Sequence, residues 1–197
     1  MTPLPFVWPY ALILWGIFIG FYSAESKIVN QAKVAVKQEG SLDGGSMQVI
    51  MFGSSFGSLL AICLAWIPAL RFPASLAVPY FVAGTLVLVA GCLLRRHCFR
   101  MLGNSFTGDV RVPERAEVIS DGAYAFIRHP SYTGAMLMYL GIGLALGSWG
   151  SAIMMLVSSF AVYSFRIKVE ERVLVEGLGE PYREFMRTRK RLIPFVY

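Results

Sequence analysis

The segment from Tyr132 to Phe165 contains no charged residue over 34 positions, and it constrains the fold of this chain more than any other feature. A helix needs about 20 apolar residues to cross a bilayer, so the segment is too long for a single span. It is interrupted by the sequence Gly147-Ser148-Trp149-Gly150-Ser151, which is typical of a turn. We therefore predict two membrane helices joined by a tight turn, that is, a helical hairpin.

Three further apolar runs precede this hairpin and extend from Leu4 to Tyr22, from Met47 to Leu70 and from Leu76 to Leu94. The whole chain is 56% hydrophobic and only 15% charged, whereas soluble domains carry about 25% charged residues. This composition excludes a disordered chain, and three cysteines cannot form a disulfide framework. We predict an all-α integral membrane protein with five transmembrane helices, forming a single membrane domain over residues 1–197.

An alternative interpretation of the run from Leu4 to Tyr22 is a secretory signal peptide. Such signals begin with basic residues and end at a cleavage site of small residues. No Lys or Arg precedes Lys27, and no A-x-A site follows the run. We therefore interpret the run as the first span.

The net charge of +6 would suggest a nucleic-acid partner in a soluble protein. With five spans, however, 17 of the 18 basic residues fall on one side, in the segments 23–46 and 95–131 and in the tail from Arg166, and only Arg71 falls on the other. The positive-inside rule then places the amino terminus outside and the carboxyl terminus in the cytoplasm. We expect membrane lipids and no nucleic acid as partners.

The spans themselves carry almost no ionisable residues, which argues against an ion pump or a proton-coupled transporter. The cysteines are not spaced for a metal site, so we expect no metal. The fourth span has small residues along one face, which predict close helix packing rather than a dinucleotide-binding loop. These residues are Ala135, Gly141, Gly143, Ala145 and Gly147.

Polar residues collect in two blocks on the predicted cytoplasmic side. The first block contains Arg128, His129 and Pro130, and the proline is suited to the first turn of the fourth span. Arg128 and His129 are therefore expected at the membrane surface where a helix begins, and free N–H groups and a guanidinium favour an anionic ligand there.

The second block contains Arg166, Glu170 and Glu171 on the helix that leaves the fifth span. One interpretation is a solvated surface ion pair between Arg166 and Glu170. The alternative is a carboxylate beside the bilayer that binds a ribose diol or a cationic group. Beyond this block, Phe185 and Met186 with the basic run 187–191 predict an amphipathic helix resting on anionic lipid.

Together the blocks read Gly122-Ala-Tyr124-Ala-Phe-Ile127-Arg128-His129-Pro130-Ser131-Tyr132, then Arg166-x3-Glu170-Glu171, then Gly179-Glu180-x-Tyr182. This pattern resembles the isoprenylcysteine carboxyl methyltransferase family of integral membrane enzymes. The resemblance covers residues 85–197, which we interpret as the catalytic region. Residues 1–80 match only as two apolar spans with a connecting cytoplasmic loop.

The resemblance implies an S-adenosylmethionine site in a cytoplasmic cap over the bundle. The cofactor-binding positions that it implies are Gly122, Tyr124, Ile127, Arg128, His129, Pro130 and Tyr132. The catalytic positions that it implies are Arg166, Glu170 and Glu171, and which of the two glutamates is essential stays open.

The implied reaction is methyl transfer to a lipid-like acceptor in the membrane, with the carboxylate of a prenylcysteine as the leading acceptor. A carboxylate needs no base at pH 7 and can be oriented by Arg166, whereas a phospholipid amine would need Glu170 or Glu171 as base. A small thiol is a further alternative. Membrane sterol reductases have a similar Arg-His-Pro segment, so an NADPH-dependent reductase and a non-enzymatic membrane protein are the alternatives of other classes.

Overall fold

The computed structural model describes residues 2–36, 44–103, 118–194 and 196–197, and these residues form a bundle of helices. The described residues contain isolated bridges but no strand, which confirms the predicted all-α class. Short 3₁₀ turns occupy Leu4–Phe6, Pro68–Leu70, Ala74–Leu76 and Gly122–Ala125. The α-helices are α1 (Tyr10–Val36), α2 (Ser46–Leu64), α3 (Ala77–Leu102), α4 (Pro130–Ala145), α5 (Trp149–Leu178) and α6 (Glu180–Thr188).

Three helical segments of the described chain are long and apolar enough to cross a membrane: Ser46–Leu64, Ala74–Leu102 and Trp149–Leu178. Their outer faces carry large apolar side chains, among them Phe52 and Phe56 of α2, which are 74% and 68% exposed. Exposed apolar faces of this kind are favourable in contact with lipid, whereas their exposure to water costs free energy. The count of five spans stays a prediction, since α4 has only 16 residues.

The helical hairpin predicted for the charge-free segment is present as α4 and α5, joined by a turn of three residues. Gly147 has a φ of +72°, a left-handed conformation that glycine adopts without strain. Ser148 then caps α5, because its hydroxyl accepts a hydrogen bond of 3.1 Å from the N–H of Ser151. The same hydroxyl donates to the carbonyl of Leu70 and so fixes the hairpin turn against the 3₁₀ turn Pro68–Leu70 that follows α2.

The predicted span boundaries differ from the helix ends, because charge alone does not stop a helix. The third helix was predicted to close at Leu94, but α3 continues to Leu102 and ends where Gly103 turns the backbone to a φ of +48°. Helix α1 likewise continues past Tyr22 to Val36, so Lys27 lies on a helix and not in a connecting loop. Helix α2 ends at Leu64, well before the predicted Leu70.

Small residues let α3 and α4 approach closely, as the sequence predicts. A Cβ atom on Gly141 would lie 2.5 Å from the backbone nitrogen of Leu88. On the other side of α4, a Cβ on Gly143 would meet the backbone of Ala152 in α5 at 2.6 Å. The packing role is therefore confirmed for these two glycines, whereas Gly147 belongs to the turn and has no neighbour within 4 Å of its Cβ position.

The two ends of the bundle differ in chemistry. Trp8, Trp66 and Trp149 are exposed at one end, where Arg71 also lies, and exposed tryptophans of this kind are typical of a membrane–water interface. At the opposite end, α1, α3 and α5 finish and α4 begins, and this end carries the other basic residues of the described chain. Lys37, Arg111 and Arg115 lie outside the described residues.

Candidate active site

Glu171 lies at the centre of a cluster of charged groups at the basic end of the bundle. It is only 4% exposed. Its Oε1 lies 2.9 Å from Nη2 of Arg128 and 3.3 Å from Nε2 of His129, and its Oε2 accepts from Nη2 of Arg191 at 2.8 Å. A buried carboxylate with two guanidinium partners is held in its charged form. The structure thus brings together two of the predicted cofactor-binding residues and one predicted catalytic residue.

Glu171 and its partners come from three separate parts of the chain. Glu171 lies on the part of α5 that continues beyond the charge-free segment. Arg128 and His129 immediately precede α4, whose first residue is the buried Pro130, as the sequence predicts. Arg191 lies in the chain after α6, in a segment that runs beside the start of α4.

We call residues 189–192 the carboxyl-terminal strap. The N–H of Arg128 donates to the carbonyl of Lys190 at 2.8 Å, and the N–H of His129 donates to the carbonyl of Arg191 at 3.0 Å. The hydroxyl of Thr133 donates to the carbonyl of Leu192 at 2.8 Å. The strap therefore satisfies backbone donors at the beginning of α4 and delivers the Arg191 guanidinium to Glu171.

A second chain of hydrogen bonds connects the other predicted catalytic residues. The hydroxyl of Tyr132 donates to Oε2 of Glu170 at 2.6 Å and accepts from Nε of Arg166 at 3.3 Å. Nη1 of Arg166 donates to the hydroxyl of Ser46. Arg166 is only 4% exposed, so it is not part of a solvated surface ion pair. The chain instead joins α2, α4 and α5.

Stacked rings hold the two groups side by side. The rings of His129 and Tyr132 lie 5.6 Å apart at 23°, and those of Tyr132 and Tyr163 lie 5.0 Å apart at 24°. Offset stacking of this kind restricts both rings. His129 is tied to Glu171 and Tyr132 to Glu170, so the stack fixes the relative position of the two carboxylates.

A hydrophobic roof covers one side of the site. It is formed by the buried side chains of Cys98, Tyr124, Tyr182 and Phe185. Burial raises the pKa of Tyr124 and of Tyr182 well above the ordinary value, and the nearby charge of Glu170 raises both further. Both phenols are therefore neutral at physiological pH.

Helix α6 forms part of this roof. The prediction that Phe185 rests on lipid is wrong, because the ring packs on Tyr182 and the protein core and is 8% exposed. The charged face of α6 carries exposed ion pairs, such as Arg187 with Glu184 at 2.9 Å. The helix is amphipathic, as predicted, but its apolar face is covered by the chain itself.

The remaining predicted cofactor positions lie at the edge of the roof. Ile127 and Tyr124 are both buried. Gly122 has a φ of +56°, and a Cβ there would lie 2.5 Å from the sulfur of Met101. The positive φ favours glycine at this turn, whereas the contact is with the flexible end of the Met101 side chain, which can shift.

A family model named phospholipid methyltransferase matches residues 79–180, which include most of α3, all of α4 and α5, and the site glutamates. The chain belongs to the phospholipid methyltransferase family. The match begins at residue 79, close to residue 85, where the region identified from the sequence pattern begins.

Curated proteins with sequences similar to this chain include isoprenylcysteine methyltransferases. The Schizosaccharomyces pombe protein named protein-S-isoprenylcysteine O-methyltransferase is 30% identical over 136 residues, covering 66% of this chain and 58% of its own length. The Arabidopsis thaliana protein-S-isoprenylcysteine O-methyltransferase B is 30% identical over 115 residues, covering 57% of this chain and 58% of its own length. The predicted resemblance is confirmed, and the alignments span about three fifths of these relatives.

A solved structure has the same fold. It is that of the eukaryotic intramembrane Ras methyltransferase ICMT, isoprenylcysteine carboxyl methyltransferase. The TM-score is 0.67 at 22% identity, and the match covers 98% of this chain and 70% of that one. The all-helical membrane fold of this phospholipid methyltransferase family member is thus shared over nearly its whole length.

Two residues of the site in this family member were not predicted from the sequence. Arg191 was assigned to a lipid-binding basic run, but its hydrogen bonds to Glu171 outweigh burial and raise its pKa. Ser46, which contacts Arg166, lies 120 positions before it and carries no local signal. Both residues reach the site through tertiary contacts, which nothing in their immediate sequence indicates.

A third contact braces the site from outside. Nε of Arg95 donates to Oε2 of Glu25 at 3.1 Å, and Nη1 of Arg95 donates to the carbonyl of Ser131 at 3.1 Å. This group ties α1 and α3 to the first turn of α4. Among the described residues, no group of three or more His, Cys, Asp or Glu side chains is placed to hold a metal ion.

Proposed function

We propose that this chain is an S-adenosylmethionine-dependent methyltransferase that methylates the carboxylate of a lipid-like, prenylcysteine-type acceptor in the membrane. The observation that carries the proposal is the meeting of two distant sequence patterns. Glu171 contacts His129 from 42 positions away, and Glu170 contacts Tyr132 from 38 positions away. Family membership and the names of the curated relatives support the same reaction.

The residues present suit the polar groups of the cofactor. S-adenosylmethionine carries a carboxylate, an ammonium and a ribose diol. Arg128 has a buried Nε–H that finds no hydrogen-bond partner among the described residues, and such a donor favours an anionic oxygen. Glu170 is 28% exposed and offers a carboxylate to the ammonium or to the ribose hydroxyls. When bound, the cofactor supplies a methyl group on a sulfonium, which needs no covalent activation by the protein.

Arg166 is the residue that we assign to the acceptor carboxylate. Tyr132 and Ser46 hold its guanidinium in place, so little side-chain freedom is lost when it binds a carboxylate. Because Arg166 is buried at the end of an apolar bundle, its attraction for an anion is less screened than in water. Holding the nucleophile in line with the methyl group is the main task that remains for the protein.

The hydrogen bond that Glu170 accepts favours a carboxylate acceptor over a phospholipid amine. An amine must lose a proton before it attacks, and Glu170 is the more exposed of the two glutamates. Its Oε2 already accepts a hydrogen bond of 2.6 Å from the hydroxyl of Tyr132, so this oxygen is engaged and is not free to take a proton from an amine. This arrangement therefore suits an acceptor that is already ionised when it binds, such as a carboxylate.

The proposal includes an orientation in the membrane. The basic end, which carries the site, faces the cytoplasm, and the tryptophan end faces outside, so the amino terminus is outside. Membrane lipids surround the exposed apolar faces of the helices. A single accessible cysteine introduced near Trp8 is expected to react with an impermeant thiol reagent from the outside only.

The first experiment tests cofactor use by the detergent-purified chain. S-adenosylhomocysteine is expected to raise the melting temperature in a concentration-dependent way, since a ligand that binds the folded state stabilises it. NADPH is expected to have no effect. No stabilisation by millimolar S-adenosylhomocysteine would overturn the proposal, and stabilisation by NADPH alone would favour a reductase.

The second experiment identifies the acceptor by transfer of labelled methyl groups. N-acetyl-S-farnesylcysteine is expected to be labelled, and its methyl ester, whose carboxylate is blocked, is the matched control. Phosphatidylethanolamine and a small thiol are the competing acceptors. Arg166→Lys is expected to lower kcat by about tenfold or more with cofactor affinity unchanged, whereas Lys168→Gln, an exposed change on the same helix, is expected to retain activity.

A further inference from the structure

A groove lies outside the active site, between the middle of α1 and the last turns of α3. Its apolar lining comes from Phe21 and Ala24 of α1 and from Cys92 and Phe99 of α3. None of these side chains contacts the glutamate cluster around Glu171. The groove is at the basic end of the bundle, where helices leave the apolar part of the membrane.

Three cations surround this groove: Lys27, Arg96 and Arg100. All three are exposed, and the described part of the chain provides no ion pair or hydrogen bond for their side chains. Arg96 and Arg100 are four residues apart, so they lie on one face of α3. Their charges are therefore available to a ligand.

The carboxylate in the groove does not neutralise these cations. Both oxygens of Glu25 accept hydrogen bonds from the Arg95 guanidinium. Arg95 is itself held by the carbonyl of Ser131 and lies over the Phe99 ring at 5.0 Å. Glu25 and Arg95 thus cancel each other, so within the described ranges no carboxylate neutralises the three cations at the rim of this apolar groove.

We propose that this groove binds an anionic phospholipid of the surrounding bilayer. The apolar wall suits an acyl chain, and the cations suit a phosphate headgroup that carries no positive charge of its own. A zwitterionic headgroup would bring a cation toward three others, and a free phosphate would gain nothing from the wall. The site is independent of the methyl-transfer proposal, since it shares no residue with the cofactor or acceptor groups.

The test uses the full-length chain in detergent, titrated with dioctanoyl phosphatidylglycerol, dioctanoyl phosphatidylcholine or glycerol phosphate, with the melting temperature as readout. Phosphatidylglycerol is expected to stabilise the protein more than phosphatidylcholine does, and glycerol phosphate is expected to have little effect. In Arg96→Gln/Arg100→Gln, the apparent affinity for phosphatidylglycerol is expected to fall by about tenfold.

Lys168→Gln/Arg172→Gln is the matched control, because it removes two exposed charges from the same end of the bundle but outside the groove. It is expected to retain the affinity of the unchanged protein. The variant Arg96→Lys/Arg100→Lys keeps the charge and is expected to bind normally, which separates headgroup binding from a folding defect. Equal losses in the two Gln pairs, equal effects of the two lipids, or full stabilisation by glycerol phosphate would each overturn the proposal.

Discussion

Arg191 and Glu171 form a two-pronged ion pair, in which Nη2 and Nε of the arginine lie 2.8 and 3.1 Å from Oε2 of the carboxylate. The pair joins the carboxyl-terminal strap to the long helix α5. Because Glu171 also contacts Arg128 and His129, the strap and the beginning of α4 are held by the same carboxylate. The carboxyl-terminal strap and the charged cluster of the site therefore depend on the same buried carboxylate.

Glu171→Gln is expected to destabilise the protein by about 3 kcal/mol. The amide keeps the size of the side chain but leaves the buried charge of Arg128 without its counterion, and breaking one side of such a pair is costly. Thermal or denaturant unfolding in detergent measures the loss. Glu170→Gln is the control, since Glu170 is partly exposed, and it is expected to lower activity with a loss of stability below about 1 kcal/mol. Equal destabilisation by both changes would contradict the anchoring role of Glu171.

Arg191→Ala is expected to weaken S-adenosylhomocysteine binding by about tenfold, because Glu171 and the strap lose their connection. Arg191→Lys is expected to restore only part of the affinity, since an ammonium cannot reproduce the two-pronged contact. Isothermal calorimetry gives both values. Lys190→Ala removes a neighbouring exposed charge and keeps the backbone carbonyl that binds Arg128, so it is expected to bind normally. A similar loss in Lys190→Ala would indicate general electrostatics rather than a specific contact.

Tyr132→Phe is expected to reduce kcat by about tenfold while it costs about 1 kcal/mol of stability. The ring stack with His129 and Tyr163 is kept, but Arg166 and Glu170 lose the hydroxyl between them. Steady-state kinetics with the farnesylcysteine acceptor, together with melting curves, separate the two effects. Tyr139→Phe, on the same helix but packed against the apolar core, is the matched control. Unchanged kcat in Tyr132→Phe would exclude a role for this hydroxyl in positioning.

Gly141→Ala is expected to destabilise the bundle by about 1–3 kcal/mol, because the new methyl group would collide with the backbone of α3 at Leu88. Gly20→Ala is the control within α1, where nothing lies within 4 Å of the added Cβ. It is expected to be neutral or stabilising, since alanine favours a helix by about 1 kcal/mol over glycine. Unfolding curves of the two variants in one detergent provide the comparison, and a neutral Gly141→Ala would contradict the close packing of α3 on α4.

Local chemistry made much of this protein predictable from its sequence. The charge-free segment 132–165 predicted a helical hairpin, and its glycine-serine turn marked the place where α4 and α5 separate. Pro130 marked the beginning of α4, and the spacing of Arg166, Glu170 and Glu171 placed them on one helix. These features depend on hydropathy, turn conformation and helix periodicity, all of which act over a few residues.

Helix ends were less predictable, because a charged residue at the end of an apolar run does not mark the end of a helix. A backbone hydrogen-bond ladder continues equally well in the headgroup region, so α3 ends at Gly103 and α5 at Gly179, where the backbone turns, and not at the first charged residue. The same reasoning explains why α1 extends past Tyr22.

The tertiary structure alone decided which charges belong to the site. Six charged residues with similar local sequences form three different ion pairs: Arg191 pairs with Glu171, Arg187 pairs with Glu184 at the surface, and Arg95 pairs with Glu25. Ion pairing between distant residues depends on where the helices place them, and a carboxylate as deeply buried as Glu171 is stable only where several donors converge. The sequence by itself determined a membrane bundle with a polar, family-like end, and the packing of that bundle determined which of its polar groups meet.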